Sequence, residues 1–306
     1  MRTRFARRIA GLFVSAALAA PLFGAGGAFA LPLVPVDAAC RQITARIVGV
    51  SARECIDSGL NAAPAATVQG QPILFRDYLA TSRRSTPKRI LLIGGIHGDE
   101  LSSVSVSFDW MRRLKAEKFQ PFHWRVIPAA NPDGILKPVP SRANAHGVDL
   151  NRNFPTPRWN ELAPRYWEER TRRDPRRWPG PKPASEPETR WLVQQIRSFR
   201  PDAIVSVHAP YGVLDFDGPR TPPRKLGFLN LNELGTYPGS LGSYAGVELG
   251  MPVITLELPH SNDMPTPSQS ARIWTDLLTW LDANLPKGEP PLYQRLADQN
   301  WARNAP

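Results

Sequence analysis

Apolar and polar positions along the chain form blocks that predict strands and helices in alternation. Short apolar runs typical of buried strands lie at 89–93, 124–127, 203–207 and 253–258,. Apolar residues spaced three or four apart predict a helix over 99–115, and helices are also predicted over 186–199 and 272–285,. A strand region at 67–78, turning at 70–72, follows a small-residue linker at 62–66,. Strands that alternate with helices predict an α/β fold with ligands at the carboxyl ends of the strands.

Composition narrows the class of protein without identifying it. An apolar content of 42% over 306 residues excludes a disordered chain,. The 33 Pro and 22 Gly are too few for low complexity, but Pro alone exceeds its usual share and predicts many ordered loops,. The net charge is +11, but four of the arginines lie at 2–8, and without them the charge is about +7, which suits an acidic partner,. Recognition-helix, RNA-binding and zinc-finger patterns are missing from the sequence, which disfavours a nucleic-acid role.

Residues 1–30 have the pattern of a secretory signal peptide. A basic stretch at 2–8 precedes an apolar stretch at 9–23, and Ala-Phe-Ala at 28–30 is typical of a cleavage site,. A transmembrane anchor is the alternative, but Pro21 and Gly24 interrupt the run, which is short of the ~20 residues needed to span a bilayer,. Cleavage after Ala30 would leave a periplasmic or secreted protein without stable membrane insertion.

Export changes the interpretation of Cys40 and Cys55, the only two cysteines in the chain. In an oxidising compartment an isolated pair is expected to form a disulfide. A thiolate metal site is the alternative, but no nearby Cys or His completes it. We therefore expect a disulfide within an N-terminal segment at 31–66, followed by a catalytic domain at 67–285 and a tail at 286–306. A basic, Trp-rich insert at 156–184 is either a surface excursion or a rim that holds a polyanionic or sugar-bearing substrate.

Two of the five histidines directly follow predicted buried strands. His97 lies at the start of a predicted helix, three residues before Glu100, and His208 ends the run at 203–207. Two His and one Glu, with a fourth position left for water, form a catalytic zinc pattern. Alone, a His-x-x-Glu is more often a surface pair or a helix cap, so the pattern needs support from the rest of the chain.

That support comes from three further motifs in the same order. Asn-Pro-Asp-Gly occurs at 131–134, Gly-Val-Asp-Leu-Asn-Arg-Asn-Phe-Pro at 147–155, and Thr-Leu-Glu-Leu-Pro at 255–259. With His97, Glu100 and His208 they resemble the zinc metallocarboxypeptidase family over roughly residues 67–285. Within that family, Pro-Gly-Ser-Leu-Gly-Ser-Tyr at 238–244 is similar to the segment ahead of the catalytic Glu in bacterial murein peptide amidases. The resemblance implies a mixed, mostly parallel sheet flanked by helices on both faces.

The resemblance also implies roles for particular residues. One Zn²⁺ would be held by His97, Glu100 and His208, and Glu257 resembles the general base of the family. Arg152, with Asn151 beside it, matches the arginine that grips a substrate carboxylate, and Arg142 matches the arginine that steadies the oxyanion. Asp149 is expected to orient a zinc-binding imidazole and Asp133 to serve a turn. His146 and His260 are interpreted as loop residues, and neither Tyr237 nor Tyr244 falls clearly on the position of the family's mobile tyrosine.

The function that this resemblance implies is an exported zinc peptidase that cuts the γ-D-glutamyl-diaminopimelate bond of murein peptides. Alternatives are a general metallocarboxypeptidase on peptides or proteins, a small-molecule zinc deacylase of the same fold, and a catalytically inactive binding module. The last is disfavoured because Glu257 and all three expected ligands are present. Asp215 and Asp217 are candidates for binding the distal ammonium of diaminopimelate, with an ordinary acidic turn before Gly218-Pro219 as the alternative.

Overall fold

The computed structural model describes residues 32–81 and 87–285, which form one nine-stranded sheet with helices on both faces. The predicted signal peptide and C-terminal tail lie outside the described residues. The strands are β1 (Asn61–Ala66), β2 (Pro72–Tyr78), β3 (Lys88–Ile93), β4 (Phe122–Ile127), β5 (Ala203–His208), β6 (Val213–Asp217), β7 (Lys225–Leu226), β8 (Leu229–Leu231) and β9 (Val253–Glu257). Their order across the sheet is β1-β2-β4-β3-β5-β9-β6-β8-β7.

Within residues 32–81 and 87–285, seven α-helices accompany the sheet. They are α1 (Val36–Thr44), α2 (Ala52–Asp57), α3 (Leu101–Ala116), α4 (Pro132–Leu136), α5 (Trp159–Glu169), α6 (Pro187–Phe199) and α7 (Pro267–Asn284). Short 3₁₀ turns occur at Leu150–Arg152 and Pro175–Arg177, and a π-helix at Gly242–Glu248. The helix predicted over 272–285 begins earlier, because Thr266 caps it together with Gln269 and Pro267 occupies its first turn,.

The four central strands β4, β3, β5 and β9 are parallel, and antiparallel pairings lie on either side of them. Alternate residues of β3 enter opposite cores: Ile90 and Leu92 pack with α3 and α7, whereas Leu91 and Ile93 pack with α6 and the π-helix. Because both faces of β3 are covered, its sequence is a continuous apolar run rather than an alternating one. The predicted α/β fold with a mixed sheet is confirmed.

The predicted linker at 62–66 is wrong, because β1 occupies this segment and pairs with β2 at the edge of the sheet. An edge position explains the error: Pro64 lacks a backbone N–H, which an edge strand tolerates, and a run of alanines carries little strand signal,. The preceding helices α1 and α2 pack in the same core as α3, and the structure joins Cys40 to Cys55 in a disulfide between them.

The disulfide is expected to contribute strongly to stability. It closes a 15-residue separation, and both cysteines are fully buried. In the loop-entropy description a closed loop of this size stabilises by about 3 kcal/mol. Replacing both cysteines by Ala should therefore lower the free energy of unfolding in urea by about 3 kcal/mol. A double variant within about 0.5 kcal/mol of the wild type, the range of ordinary surface substitutions, would contradict this expectation.

No helix among the described residues is both long and apolar enough to cross a membrane.

Candidate active site

Three buried side chains converge where β3 and β5 end. His97 Nδ1 lies 2.7 Å from Glu100 Oε1, His208 Nδ1 lies 2.9 Å from Glu100 Oε2, and the two Nδ1 atoms are 3.2 Å apart. β3 and β5 are adjacent parallel strands, so the turn after β3 and the last residue of β5 meet at one edge of the sheet. Gly98 allows this turn to pack on α4, because a Cβ there would lie 2.3 Å from the Gly134 carbonyl carbon.

The other nitrogen of each imidazole is also held. His97 Nε2 lies 3.2 Å from Asp149 Oδ1, and His208 Nε2 lies 3.0 Å from Ser206 Oγ. Both rings are therefore fixed with Nδ1 pointing at the same place, as in metal sites whose histidines are oriented through their second nitrogen. Asp149 was expected in this role. Ser206 was missed, although its position two residues before His208 on a strand puts both side chains on one face.

Burial and charge shape the proton affinities of this cluster. Burial alone would raise the pKa of Glu100, but the imidazoles of His97 and His208 lower it. Burial would also raise the pKa of Asp149, which Arg142 and His97 hold well below its usual range. Both carboxylates are therefore ionised near neutral pH, which leaves their oxygens available as electron-pair donors.

The donor set fits a zinc ion. Among the described residues, His97, Glu100 and His208 form the one group of three that could hold a metal. Two imidazoles and one carboxylate are a ligand set of catalytic zinc sites. One donor atom from each of the three residues lies within 4.8 Å of the other two, so a single ion could contact all three. Asp149 and Ser206 supply the supporting hydrogen bonds that such ligands require.

Glu257 ends β9, the strand next to β5, and is the register partner of His208. Its side chain is 7% exposed, and no hydrogen-bond partner for Oε2 occurs among residues 32–81 and 87–285. Burial raises the pKa of Glu257 above its ordinary value. A buried carboxylate with an unpaired oxygen beside a metal-binding group is suited to accept a proton from bound water.

Arg142 approaches the same cluster from the loop after α4. Its Nε donates to Asp149 Oδ2 at 2.8 Å, and its Nη1 lies 3.6 Å from Glu100 Oε1. Asn131 fixes this loop, since its side-chain amide donates to the Arg142 carbonyl while its oxygen caps α4 at Gly134. The guanidinium therefore stays at the cluster edge, where a fixed positive charge can stabilise a developing oxyanion.

Asn151 and Arg152 lie on the 3₁₀ turn that follows Asp149. The Arg152 side chain is buried, and its Nε has no partner within the described part of the chain. The ring of Tyr237 stacks on the guanidinium at 4.4 Å. Asn151 Oδ1 accepts from the Leu241 N–H at 2.7 Å, which ties this turn to the segment leading into the π-helix. Arg152 is thus a buried, oriented cation with spare donors, which suits a carboxylate ligand.

One open cleft, of about 680 Å³ with its solvent-filled mouth included, is lined by both histidines of the metal-binding group and by Glu257, Arg142 and Arg152, together with Asp215 and Asp217. The chain matches the zinc carboxypeptidase family model (Peptidase M14) over residues 63–217. It is 34% identical over 220 residues to murein peptide amidase A of Escherichia coli strain K12, covering 69% of this chain and 86% of that protein. The chain belongs to the zinc carboxypeptidase family. It is accordingly a zinc metallopeptidase.

Two solved structures are similar in fold to this chain. The murein-tripeptide amidase MpaA from Escherichia coli O157 matches 70% of this chain and 88% of its own, with 30% identity and a TM-score of 0.50. Carboxypeptidase A from Helicoverpa armigera matches 74% and 69%, with 15% identity and a TM-score of 0.56, which shows a shared fold. Glu257 lies beyond the residues matched by the family model, so its role is inferred from geometry.

The insert at 156–184 of this zinc carboxypeptidase contributes to the cavity. Its α5 carries Tyr166, which packs edge-on against Tyr237 with ring centres 5.5 Å apart. Arg177 lines the cavity directly, and the Trp178 carbonyl accepts from the Asp149 N–H. A plain surface excursion is therefore the wrong description. The sequence does not predict this helix, because α5 contains Pro164 and its apolar residues are irregularly spaced,.

Of the other residues considered from the sequence, Asp133 lies in α4, whereas His146 and His260 lie in loops. Asp133 accepts hydrogen bonds from Thr67 and from the Gln69 N–H, so it ties the β1–β2 turn to α4. The His146 Nδ1 lies 2.7 Å from Glu186, away from the metal-binding group. The backbone carbonyl of His260 accepts a hydrogen bond from the Ser102 hydroxyl. Tyr244 is buried against Phe154, whereas Tyr237 lines the cavity, as does Tyr211.

Proposed function

We propose that this protein is an exported zinc peptidase that hydrolyses the γ-D-glutamyl-diaminopimelate bond of murein peptides. The observation that carries the proposal is that His97, Glu257 and Arg152 line one cavity. A metal-binding group, an unpaired carboxylate and a buried cation are the parts needed to cut the bond before a residue with a free carboxylate. Export rests on the sequence of residues 1–30.

Zinc held by His97, Glu100 and His208 would acidify a water molecule and polarise the scissile carbonyl. Glu257 takes one proton from the attacking water as the oxygen–carbon bond forms, and delivers it to the leaving nitrogen as the carbon–nitrogen bond breaks. Its raised pKa is consistent with shuttling a proton in both directions,. The guanidinium of Arg142 stabilises the negative charge that develops on the carbonyl oxygen.

Arg152 binds the terminal carboxylate of the leaving residue. The stacked Tyr237 ring and the bond from Nη1 to the Asn151 carbonyl, at 2.7 Å, restrict the guanidinium to one orientation. Burial lowers the pKa of Arg152. Because a guanidinium stays protonated in proteins, Arg152 is a cation. An unpaired buried cation is unfavourable, and a carboxylate ligand relieves that cost. Peptides whose C-terminus is amidated should therefore be poor substrates.

Two observations support murein peptides as the substrate class. Relatives that are 30–35% identical to this chain are murein peptide amidases. Export would also place the protein beside murein. The cavity combines the cations Arg142, Arg152 and Arg177 with the carboxylates Asp215 and Asp217. Diaminopimelate matches this mixed lining because its side chain ends in both an ammonium and a carboxylate.

The test is mass spectrometry of defined tripeptides incubated with the purified protein. We expect L-Ala-γ-D-Glu-diaminopimelate to release free diaminopimelate, and the lysine analogue, which lacks the distal carboxylate, to react at least about tenfold more slowly. An amidated diaminopimelate tripeptide serves as the control for the Arg152 contact. Equal kcat/KM for the two free tripeptides, or a preference for α-linked peptides with apolar C-termini, would favour a general carboxypeptidase instead.

A further inference from the structure

The cavity extends along the sheet away from the metal-binding group. β5, β9 and β6 are neighbours, and every second residue faces the cavity,. Glu257 pairs with Val213, Thr255 with Asp215, and Val253 with Asp217. At 3.2–3.4 Å per residue, Asp215 lies about 7 Å and Asp217 about 13 Å along the strands from the level of Glu257. These positions belong to β6, so the acidic turn considered from the sequence is wrong.

The Asp217 carboxylate lines the cavity and is without a partner in the described part of the protein. Within residues 32–81 and 87–285, neither a hydrogen bond nor an ion pair engages it, and burial together with the carboxylates of Asp215 and Glu233 raises the pKa of Asp217 to about 7. Asp215 is 6% exposed, and its Oδ1 accepts the N–H groups of Phe216 and Leu234. Two carboxylates at the end of a cavity, one of them unpaired, favour a cationic ligand.

The space around Asp217 is created by glycines of the π-helix. A Cβ on Gly242 would lie 1.9 Å from Asp217 Oδ2, and a Cβ on Gly246 would lie 2.5 Å from Asp217 Cβ. Any side chain at these two positions would displace the carboxylate. The π-helix is therefore shaped around Asp217, whose carboxylate still faces the cavity.

An independent feature of the same cavity indicates what kind of ligand carries the cation. Arg152 is 6% exposed, and its Nε is unpaired in the part of the chain that the structure describes. A buried cation and an unpaired carboxylate in one cavity fit a ligand with charges of both signs. We infer that Asp217, assisted by Asp215, binds the ammonium at the end of the side chain of the substrate's C-terminal residue. This inference rests on the proposed function and assigns its side-chain specificity.

The test compares two substrates that differ only in this ammonium. One is L-Ala-γ-D-Glu-diaminopimelate, and the other carries 2-aminopimelate, in which hydrogen replaces the distal amino group and the distal carboxylate is retained. The wild type should prefer the first by at least about tenfold in kcat/KM, because the second has no ammonium to pair with the Asp217 carboxylate. Asp217→Asn should reduce the preference to less than about threefold, mainly through a loss on the diaminopimelate substrate.

Glu248→Gln is the matched control, because it removes one negative charge from the exposed side of the same π-helix. It should retain the wild-type preference. A wild type without a preference, or an Asp217→Asn variant that keeps it, would overturn the inference while leaving cleavage of the tripeptide intact. Metal content that falls from two equivalents to one in Asp217→Asn would also overturn it, by assigning the carboxylates to a metal. Failure of the wild type to cut either tripeptide would instead refute the proposed function.

Thermal unfolding separates a specific effect from a folding defect. Asp217 has no hydrogen bond or ion pair to lose within the described residues, so Asp217→Asn should unfold at the wild-type temperature or above it,. A variant with wild-type stability and a lost preference supports ammonium binding. If the asparagine variant does unfold early, Asp215→Asn provides the same comparison, with a partial loss of preference expected and an unchanged preference counting against the inference.

Discussion

Glu257→Gln should lower kcat by about 100-fold or more while the fold and the metal content stay at wild-type levels. The amide has almost the shape of the carboxylate but cannot accept a proton from water and return it to the leaving amine. Its nearest register partner, His208, keeps its contacts to Glu100 and Ser206, because neither involves Glu257. The measurements are steady-state kinetics on the tripeptide and metal analysis of the same preparation.

Glu257→Asp is the paired variant for this experiment. Its side chain still ends in a carboxylate but is shorter by one methylene group. Glu257→Asp should therefore keep more activity than Glu257→Gln. Since Glu257 Oε2 has no hydrogen bond to lose in the described part of the chain, the amide should not destabilise the fold,. Activity of Glu257→Gln within a few-fold of wild type would show that another group moves the proton. Lost metal would show that Glu257 has a ligand or structural role.

The parts of the molecule that sequence could predict are those with a strong local signal. The buried strands β3, β5 and β9 are continuous apolar runs, and the apolar residues of α3 are three or four positions apart. All four elements are therefore predicted near their observed bounds. The metal-binding group could be proposed from sequence because His97 lies in the turn after β3, His208 ends β5, Glu100 is three residues from His97, and the family motifs supported the pattern. Adjacent parallel strands then bring the histidines together, which is a consequence of topology.

The parts that escaped prediction depend on contacts between distant residues. The edge strand β1 contains Pro64 and small residues, and it is a strand because β2 pairs with it. The stacking of Tyr237 on Arg152 joins segments 85 positions apart, and Tyr166 of the insert adds to it. The placement of Asp217 depends on Gly242 and Gly246, which leave room for its side chain. This role could not be predicted from sequence, because it depends on the packing of the π-helix on β6.

His208→Ala should abolish activity by removing the metal. The substitution takes away one of three donors and leaves Glu100 without the imidazole that lies 2.9 Å from its Oε2. Loss of a group that merely orients a metal ligand costs about 10–100-fold in affinity, so loss of the ligand itself should cost more. Metal analysis after dialysis should fall from about one equivalent to well below it. Added zinc should raise the unfolding temperature of the wild type far more than that of the variant, since only tight binding to the folded state stabilises.

Two variants make this result specific. His146→Ala removes a histidine whose ring is more than half exposed and paired with Glu186, so metal content and activity should remain near wild type. Ser206→Ala keeps all three ligands but removes the group 3.0 Å from His208 Nε2, and should weaken zinc affinity by about 10–100-fold,. The expected order of zinc affinity is thus wild type equal to His146→Ala, then Ser206→Ala, then His208→Ala. Full metal occupancy in His208→Ala would show that the three converging side chains are not the zinc ligands.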